Sequence, residues 1–198
     1  LMIRDKLNSR LPDSVTAGYG TLYVHTDRGL EYMDRIADWE YIDEIGLWSV
    51  VYFFAAMVVS LGILGAVAVS TLRSPPEPTA AQDPVNLLAI PGVNEFLPLA
   101  ATGYIVFAIF IAAGVHELAH GVAMRAEDVT VEEVGIVLFT VVPIAAYVMP
   151  DEDEFSQATV WSQARILSAG VFANIGVFIV TGLWFLFPGT GSAIAAFA

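Results

Sequence analysis

Gly114-Val115-His116-Glu117-Leu118-Ala119-His120-Gly121 closes a long apolar run, and its reading decides the architecture of the chain. Two imidazoles four residues apart fall on one face of a helix, about one turn from each other. That spacing lets His116 and His120 bind one metal ion, with Glu117 between them able to polarise a metal-bound water. Ile105 to Ala113 ahead of the motif carry no polar side chain, so this helix lies in lipid or in a large core. The plain alternative is a pair of membrane histidines hydrogen-bonded to neighbouring helices. Two histidines and a glutamate within a span have no cheap structural role, because ionisable groups are costly there.

Composition supports lipid. Hydrophobic residues make up 57% of the 198 and charged residues 15%, against roughly 45–50% and about 25% in soluble domains. Several charge-free runs approach the roughly 20 residues that cross a bilayer. The net charge of −13 argues against nucleic acid or an anionic membrane surface as a partner. In molar salt, with a Debye length of roughly 3 Å, such an acidic surface is tolerable, and a halophilic source fits. With no cysteine, any metal must be held by histidine and carboxylate. No cleavable signal peptide is legible. The apolar C-terminus points to a fragment.

Residues 1–46 hold five of the eight basic residues: Arg4, Lys6, Arg10, Arg28 and Arg35. Leu30, Met33, Ala37, Tyr41 and Ile45 recur at three-to-four spacing, which predicts an amphipathic, interfacial helix leading into the first span. His25 stands alone among polar residues and reads as solvated. Leu47 to Leu72 is charge-free over 26 residues, with Trp48 and Tyr52 marking one interface and Arg73 the other. Its Gly62, Gly65 and Ala66 would permit a close helix contact. Ser74 to Pro98 contains six of the ten prolines and reads as a non-helical connection, with Pro91-Gly92-Val93-Asn94 as a turn.

Leu99 to Met124 is the second span, stopped by Arg125. His116 lies nine residues inside that arginine, roughly 13 Å deep at 1.5 Å per residue. Val134 to Pro150 is apolar over 17 residues, rich in β-branched side chains and interrupted by Pro143. It is short for a spanning helix and reads equally as extended chain. Extended backbone at membrane depth must be buried in protein or line a wet cavity, so a β-prone dip beside the motif is expected. Asp151-Glu152-Asp153-Glu154 returns the chain to water. Those acids could complete a metal site only if the dip folds back, which would make a soluble-facing zincin.

Ile166 to Phe187 is the third span, closed by Pro188-Gly189. Ala169-Gly170 and Ala173-Asn174 form a small-residue face for close packing. Asn174 lies nine residues inside Arg165, as His116 does inside Arg125. If both arginines mark one interface, Asn174 and His116 are level in the membrane. The basic residues put that interface on the cytoplasmic side. The fold class expected is mainly α, with about three transmembrane helices (47–72, 99–124 and 166–187) and a membrane-dipping β-prone segment. The polar segment 1–46 precedes a transmembrane core of 47–198.

Several ordered motifs together resemble one family. They are Pro91-Gly92-Val93-Asn94 with Pro98, His116-Glu117-Leu118-Ala119-His120-Gly121 with Arg125, Gly135 with Pro143-Ile144-Ala145-Ala146-Tyr147-Val148 and Pro150-Asp151-Glu152, and Ala169-Gly170-Val171-Phe172-Ala173-Asn174. The chain resembles the N-terminal portion of an archaeal site-2 protease, an intramembrane zinc metalloprotease, over most of residues 29–187. The resemblance implies Zn2+ held by His116 and His120, with Glu117 as general base. It implies a transmembrane protein substrate, cleaved within the lipid by zinc-activated water. It also implies that Val134–Pro150 is partly a strand or hairpin able to pair with an unwound substrate helix. Asn174 matches a position near the family's site, implying an oxyanion or substrate contact. The family's third ligand is an aspartate in a Leu-Asp-Gly motif on a later span. No acidic residue follows Glu154 here, so two of three ligands are expected in this chain. The rival reading is a truncated, non-catalytic homologue acting as a binding or regulatory protein.

Overall fold

The computed structural model describes residues 11–12, 14–18, 20–74, 90–93, 97–139 and 142–186. Arg4, Lys6, Arg10, Asn94, Phe187, Pro188-Gly189 and most of the proline-rich connection lie outside them. The elements run in the order β1 (Val15–Ala17), β2 (Thr21–His25), α1 (Asp27–Ala37), α2 (Ile42–Arg73), α3 (Thr102–Ala126), β3 (Val131–Phe139), β4 (Val142–Pro150), α4 (Glu152–Gln157) and α5 (Val160–Leu186). A single 3-10 turn at Leu99–Ala101 leads into α3.

Three of these helices are long and apolar enough to cross a membrane: Ile42–Arg73, Leu99–Ala126 and Val160–Trp184. Within the chain, 6% of the most apolar window of the first is buried and 0% of that of the second. Surfaces so apolar and so bare need a non-aqueous neighbour, and lipid supplies it. Two of the helices start earlier than their charge-free runs, α2 at Ile42 and α5 at Val160, whereas α3 starts at Thr102 behind the 3-10 turn. Asp43 and Glu44 sit in the first turn of α2, where carboxylates complement the positive end of the helix. Thr159 caps α5 through a 3.1 Å bond from the Ser162 N–H. Arg165 therefore stands inside α5 rather than ahead of it.

The chain divides into two compact units, Leu1–Phe53 with Ala112–Ala198, and Phe54–Ile111. The second holds the greater part of α2, the turn near Gly92 and the start of α3. Gly92 has φ 80° and its N–H donates to the Leu97 carbonyl at 2.8 Å, a left-handed turn suited to glycine. The first unit holds the sheet and the motif.

That sheet is antiparallel in the order β1-β2-β3-β4. Val134–Pro150, readable as helix or extended chain, lies within the β3–β4 part. Pro143 is placed opposite Leu138 beside a register shift, where a missing N–H disturbs the ladder least. The polar N-terminus contributes two strands that were not expected, with Val24 opposite Ile136 and His25 opposite Gly135. Gly135 is required there, because a Cβ would lie 2.2 Å from the Val24 carbonyl oxygen.

His25 is a correction to the sequence reading. It is not solvated: its side chain is 19% exposed, its Nε2 lies 2.9 Å from Thr16 Oγ1 and its Nδ1 shares a 2.6 Å bond with the Tyr147 hydroxyl. Glu133 Oε2 stands 3.2 Å from the same nitrogen, so one polar group from each strand meets there. Burial, then the charge of Glu133, pushes the Tyr147 hydroxyl up to about 12, so it keeps a proton to donate.

The expected amphipathic helix is real but shorter. It stops at Ala37, and Tyr41 and Ile45 belong to a turn and to α2. Met33 on α1 is 1% exposed and packs where a Cβ on Gly121 would come within 2.7 Å of its sulfur. Burying that side chain contributes roughly 1.5–3 kcal/mol, and Gly121, directly after the motif, makes the approach possible. Met124, Val129, Val131 and Ile166 form a core cluster, with Leu30 and Val148 packed against it.

Asp34 of α1 pairs with Arg125 in the last turn of α3. The hydrogen bond from that guanidinium holds the Asp34 carboxyl below its ordinary range. A depressed folded value means the contribution is complete above the unfolded value of about 3.9 and is lost as pH falls through the folded one. Hydrogen exchange of residues 27–37, corrected for its intrinsic pH dependence, is expected to accelerate selectively below about pH 4. Asp34→Asn should show the faster exchange already at pH 7. Identical exchange in both proteins at both pH values would remove the pair as an anchor of α1.

Candidate metal centre

The centre is built by α3 and α5. On α3, one helical turn brings the rings of His116 and His120 to a centroid separation of 4.7 Å at 78°. On α5, the small residues read as a packing face allow the approach. A Cβ built on Gly170 would lie 2.6 Å from His120 Nε2 and 2.7 Å from His116 Nε2. Both Nε2 atoms therefore face one small space, kept open because residue 170 has no side chain. Two imidazole nitrogens converging on a space that a methyl would fill is the donor arrangement a zinc ion requires of two of its ligands.

The outer nitrogens are held too. His120 Nδ1 lies 2.6 Å from the Ile166 carbonyl oxygen. A carbonyl can only accept, so Nδ1 carries the hydrogen and Nε2 of the neutral ring keeps the lone pair. His116 Nδ1 lies 3.2 Å from Asn174 Nδ2, which makes the two residues level, as their equal offsets from Arg125 and Arg165 predict. Asn174 Oδ1 is buried without a hydrogen-bond partner among the described residues.

Glu117 is half-buried. Asp151 does not turn towards the histidines: it accepts from the Asp153 and Glu154 N–H groups, both at 3.0 Å, as the N-cap of α4. Glu154 accepts from the Thr130 N–H at 2.7 Å. Among the described residues, no group of three or more His, Cys, Asp or Glu side chains is placed to hold a metal ion. The structure thus brings together His116, His120 and Asn174, with Glu117 beside them in sequence, and assigns the acidic run to capping.

Three charged side chains fix the helix ends around this centre. Arg165 on α5 bonds Glu127, just past α3, at 2.8 Å and Asp43 on α2 at 3.2 Å. Ser49 and Ser168, both buried, share a 2.8 Å bond between α2 and α5. Sequence reading treated Arg165 as an interface marker and missed its partners. The signal available was Glu127 two residues beyond Arg125, an acid at a helix end that otherwise favours cations. An apolar cavity of about 380 Å³, lined by Val115, Ala119, Phe172 and Ala173 among others, includes neither histidine.

Membrane-length apolar helices mark an integral membrane protein, and one of them carries a His-Glu-x-x-His motif whose imidazoles converge beside a glycine. The model of peptidase family M50 matches residues 104–195, from early α3 past α5, so this part of the chain is similar to the site-2 protease family. Members of that family are zinc metalloproteases. The chain is also 29% identical over 187 residues to the uncharacterized protein MJ0971 of Methanocaldococcus jannaschii, covering 90% of this chain and 45% of that protein. It thus spans a little under half the length of this curated relative. No solved structure matches.

Proposed function

We propose that the chain is the histidine-bearing part of a zinc-dependent intramembrane endopeptidase that cleaves transmembrane protein substrates. The observation that carries this reading is the convergence of His116 Nε2 and His120 Nε2 on the space beside Gly170. A zinc ion held there supplies a Lewis acid for the scissile carbonyl and acidifies a water molecule. Glu117, between the two ligands on α3, is the general base: it takes the proton of the attacking water and passes it to the leaving amine. A helical peptide bond is closed to attack, so the substrate must first be extended. β4 has β3 as its one described neighbour, since β2 already occupies the other side of β3. An unwound substrate segment can add along that edge of β4, taking its backbone hydrogen bonds there. Arg125 and Arg165 at one end of α3 and α5 support a site nearer the cytoplasmic face of the cell membrane. The charge of −13 supports a halophilic archaeal setting.

The test uses the full-length protein reconstituted in liposomes with a transmembrane test substrate. Stripping metal with a chelator is expected to abolish cleavage, and stoichiometric zinc to restore it. Undiminished cleavage by metal-free protein would overturn the proposal. A second reading, a non-catalytic homologue, is favoured by one observation: no third ligand joins the histidines among the described residues. Failure of the intact protein to bind zinc or to cut any membrane substrate would select it.

A further inference from the structure

We infer that Asn174 is a positioning residue for the metal ligand His116, accepting a hydrogen bond from its Nδ1–H through Oδ1, rather than a contact to the substrate. This rests on the zinc reading above and extends it to the helix that faces the motif. The two histidines share one problem: an imidazole can offer Nε2 to a metal only if its remaining proton sits on Nδ1, and something must accept that proton. For His120 the acceptor is the Ile166 carbonyl, 2.6 Å away, and the tautomer is fixed. For His116 the group within reach is the Asn174 carboxamide, 3.2 Å from Nδ1.

The orientation of that carboxamide decides the outcome. With Nδ2 toward the ring, the amide donates to Nδ1, the ring proton moves to Nε2, and the lone pair needed beside Gly170 is lost. Either orientation leaves one end of the carboxamide buried without a partner among the described residues, Oδ1 in this one, so the Nε2 lone pair that a metal requires is what chooses between them. Turning the nearly isosteric amide by 180° places Oδ1 on Nδ1–H and frees Nε2. The two histidines then have equivalent outer partners, both supplied by α5: the Ile166 carbonyl for one and the Asn174 side chain for the other. Asn174 is the side chain that sets the ring of His116, because its carboxamide is the group within hydrogen-bond reach of Nδ1.

The test is zinc affinity of the full-length protein, by competition with a chromophoric chelator, for wild type, Asn174→Asp and Asn174→Leu. Aspartate keeps an acceptor, while leucine keeps the volume without one. The expected result is a loss of about 10- to 100-fold in Asn174→Leu, the usual cost of removing an outer partner of a ligating histidine, with Asn174→Asp close to wild type. The nitrogen resonances of His116 in the zinc-loaded protein should report an Nδ1-protonated ring in wild type and Asn174→Asp. Unchanged affinity in Asn174→Leu, or an equal loss in Asn174→Asp, would overturn the inference. A role confined to substrate or oxyanion contact would leave zinc affinity untouched in both variants, which also overturns it. If wild type itself binds no zinc, the zinc reading fails first, so the two failures are distinguishable.

Discussion

Glu117→Gln in the full-length protein should keep its zinc and lose about two to four orders of magnitude in peptide-bond cleavage. Glutamine preserves the volume and hydrogen-bonding reach of the side chain but cannot take a proton at its amide. The loss expected for removing a general base is roughly 10²–10⁴-fold, or about 3–5 kcal/mol of transition-state stabilisation. His116 and His120 hold their outer contacts through Asn174 and the Ile166 carbonyl, neither of which involves Glu117, so metal content should stay at the wild-type level. The measurement is a single-turnover cleavage rate alongside zinc per chain. A Glu117→Gln protein cutting at the wild-type rate would remove this residue from the chemistry.

Gly170→Ala should have the largest effect on the metal itself. The new methyl would stand 2.6 Å from His120 Nε2 and 2.7 Å from both Nε2 and Cδ2 of His116, closer than carbon and nitrogen tolerate. Relief by turning the His120 ring would sacrifice its 2.6 Å bond to Ile166, and relief by moving α5 would disturb the core at Ile166, which is 1% exposed. A fall in zinc affinity of about 100-fold or more is expected, at or beyond the upper end for losing an outer partner. The same substitution replaces a glycine in the middle of a helix, which by itself favours the fold by up to about 1 kcal/mol. That gain offsets only part of the clash, which is present without metal too, so metal affinity should fall by more than metal-free thermal stability. Wild-type affinity in Gly170→Ala would mean that the two Nε2 atoms do not share this space.

Much of this was legible in the sequence because the signals are periodic or long. The three spans follow from charge-free runs, and the meeting of the His116 and His120 rings follows from two histidines four residues apart on a helix. The level placement of Asn174 and His116 followed from nothing more than equal distances to two arginines. What stayed hidden was short or non-local. β1 and β2 are three and five residues long, too brief for an alternation pattern, and the partner that stabilises β2 lies more than 100 residues away in β3. The break after Ala37 was hidden because apolar spacing continues through Tyr41 and Ile45, although the chain turns at Asp38. His25 looked solvated because its partners Glu133 and Tyr147 come from distant strands. The acids after Pro150 were visible as charge, but their service as a cap depends on where α4 begins.

The bonds from Arg165 to Asp43 and Glu127 carry a further consequence, for the length of chain the fold can tolerate. They fasten α5 at one end, while Gly170 and Asn174 must meet the histidines five and nine residues further on. Adding or deleting one residue in that interval would shift everything beyond it by about 1.5 Å along the axis and turn it by about 100°. The methyl-free space and the carboxamide would then face lipid rather than imidazole. The interval from Arg165 to Asn174 behaves as a ruler of fixed length with its zero at the charged clasp. Beyond Asn174 no such measurement is imposed by the centre, and the helix is free to vary in length with the thickness of the membrane it crosses.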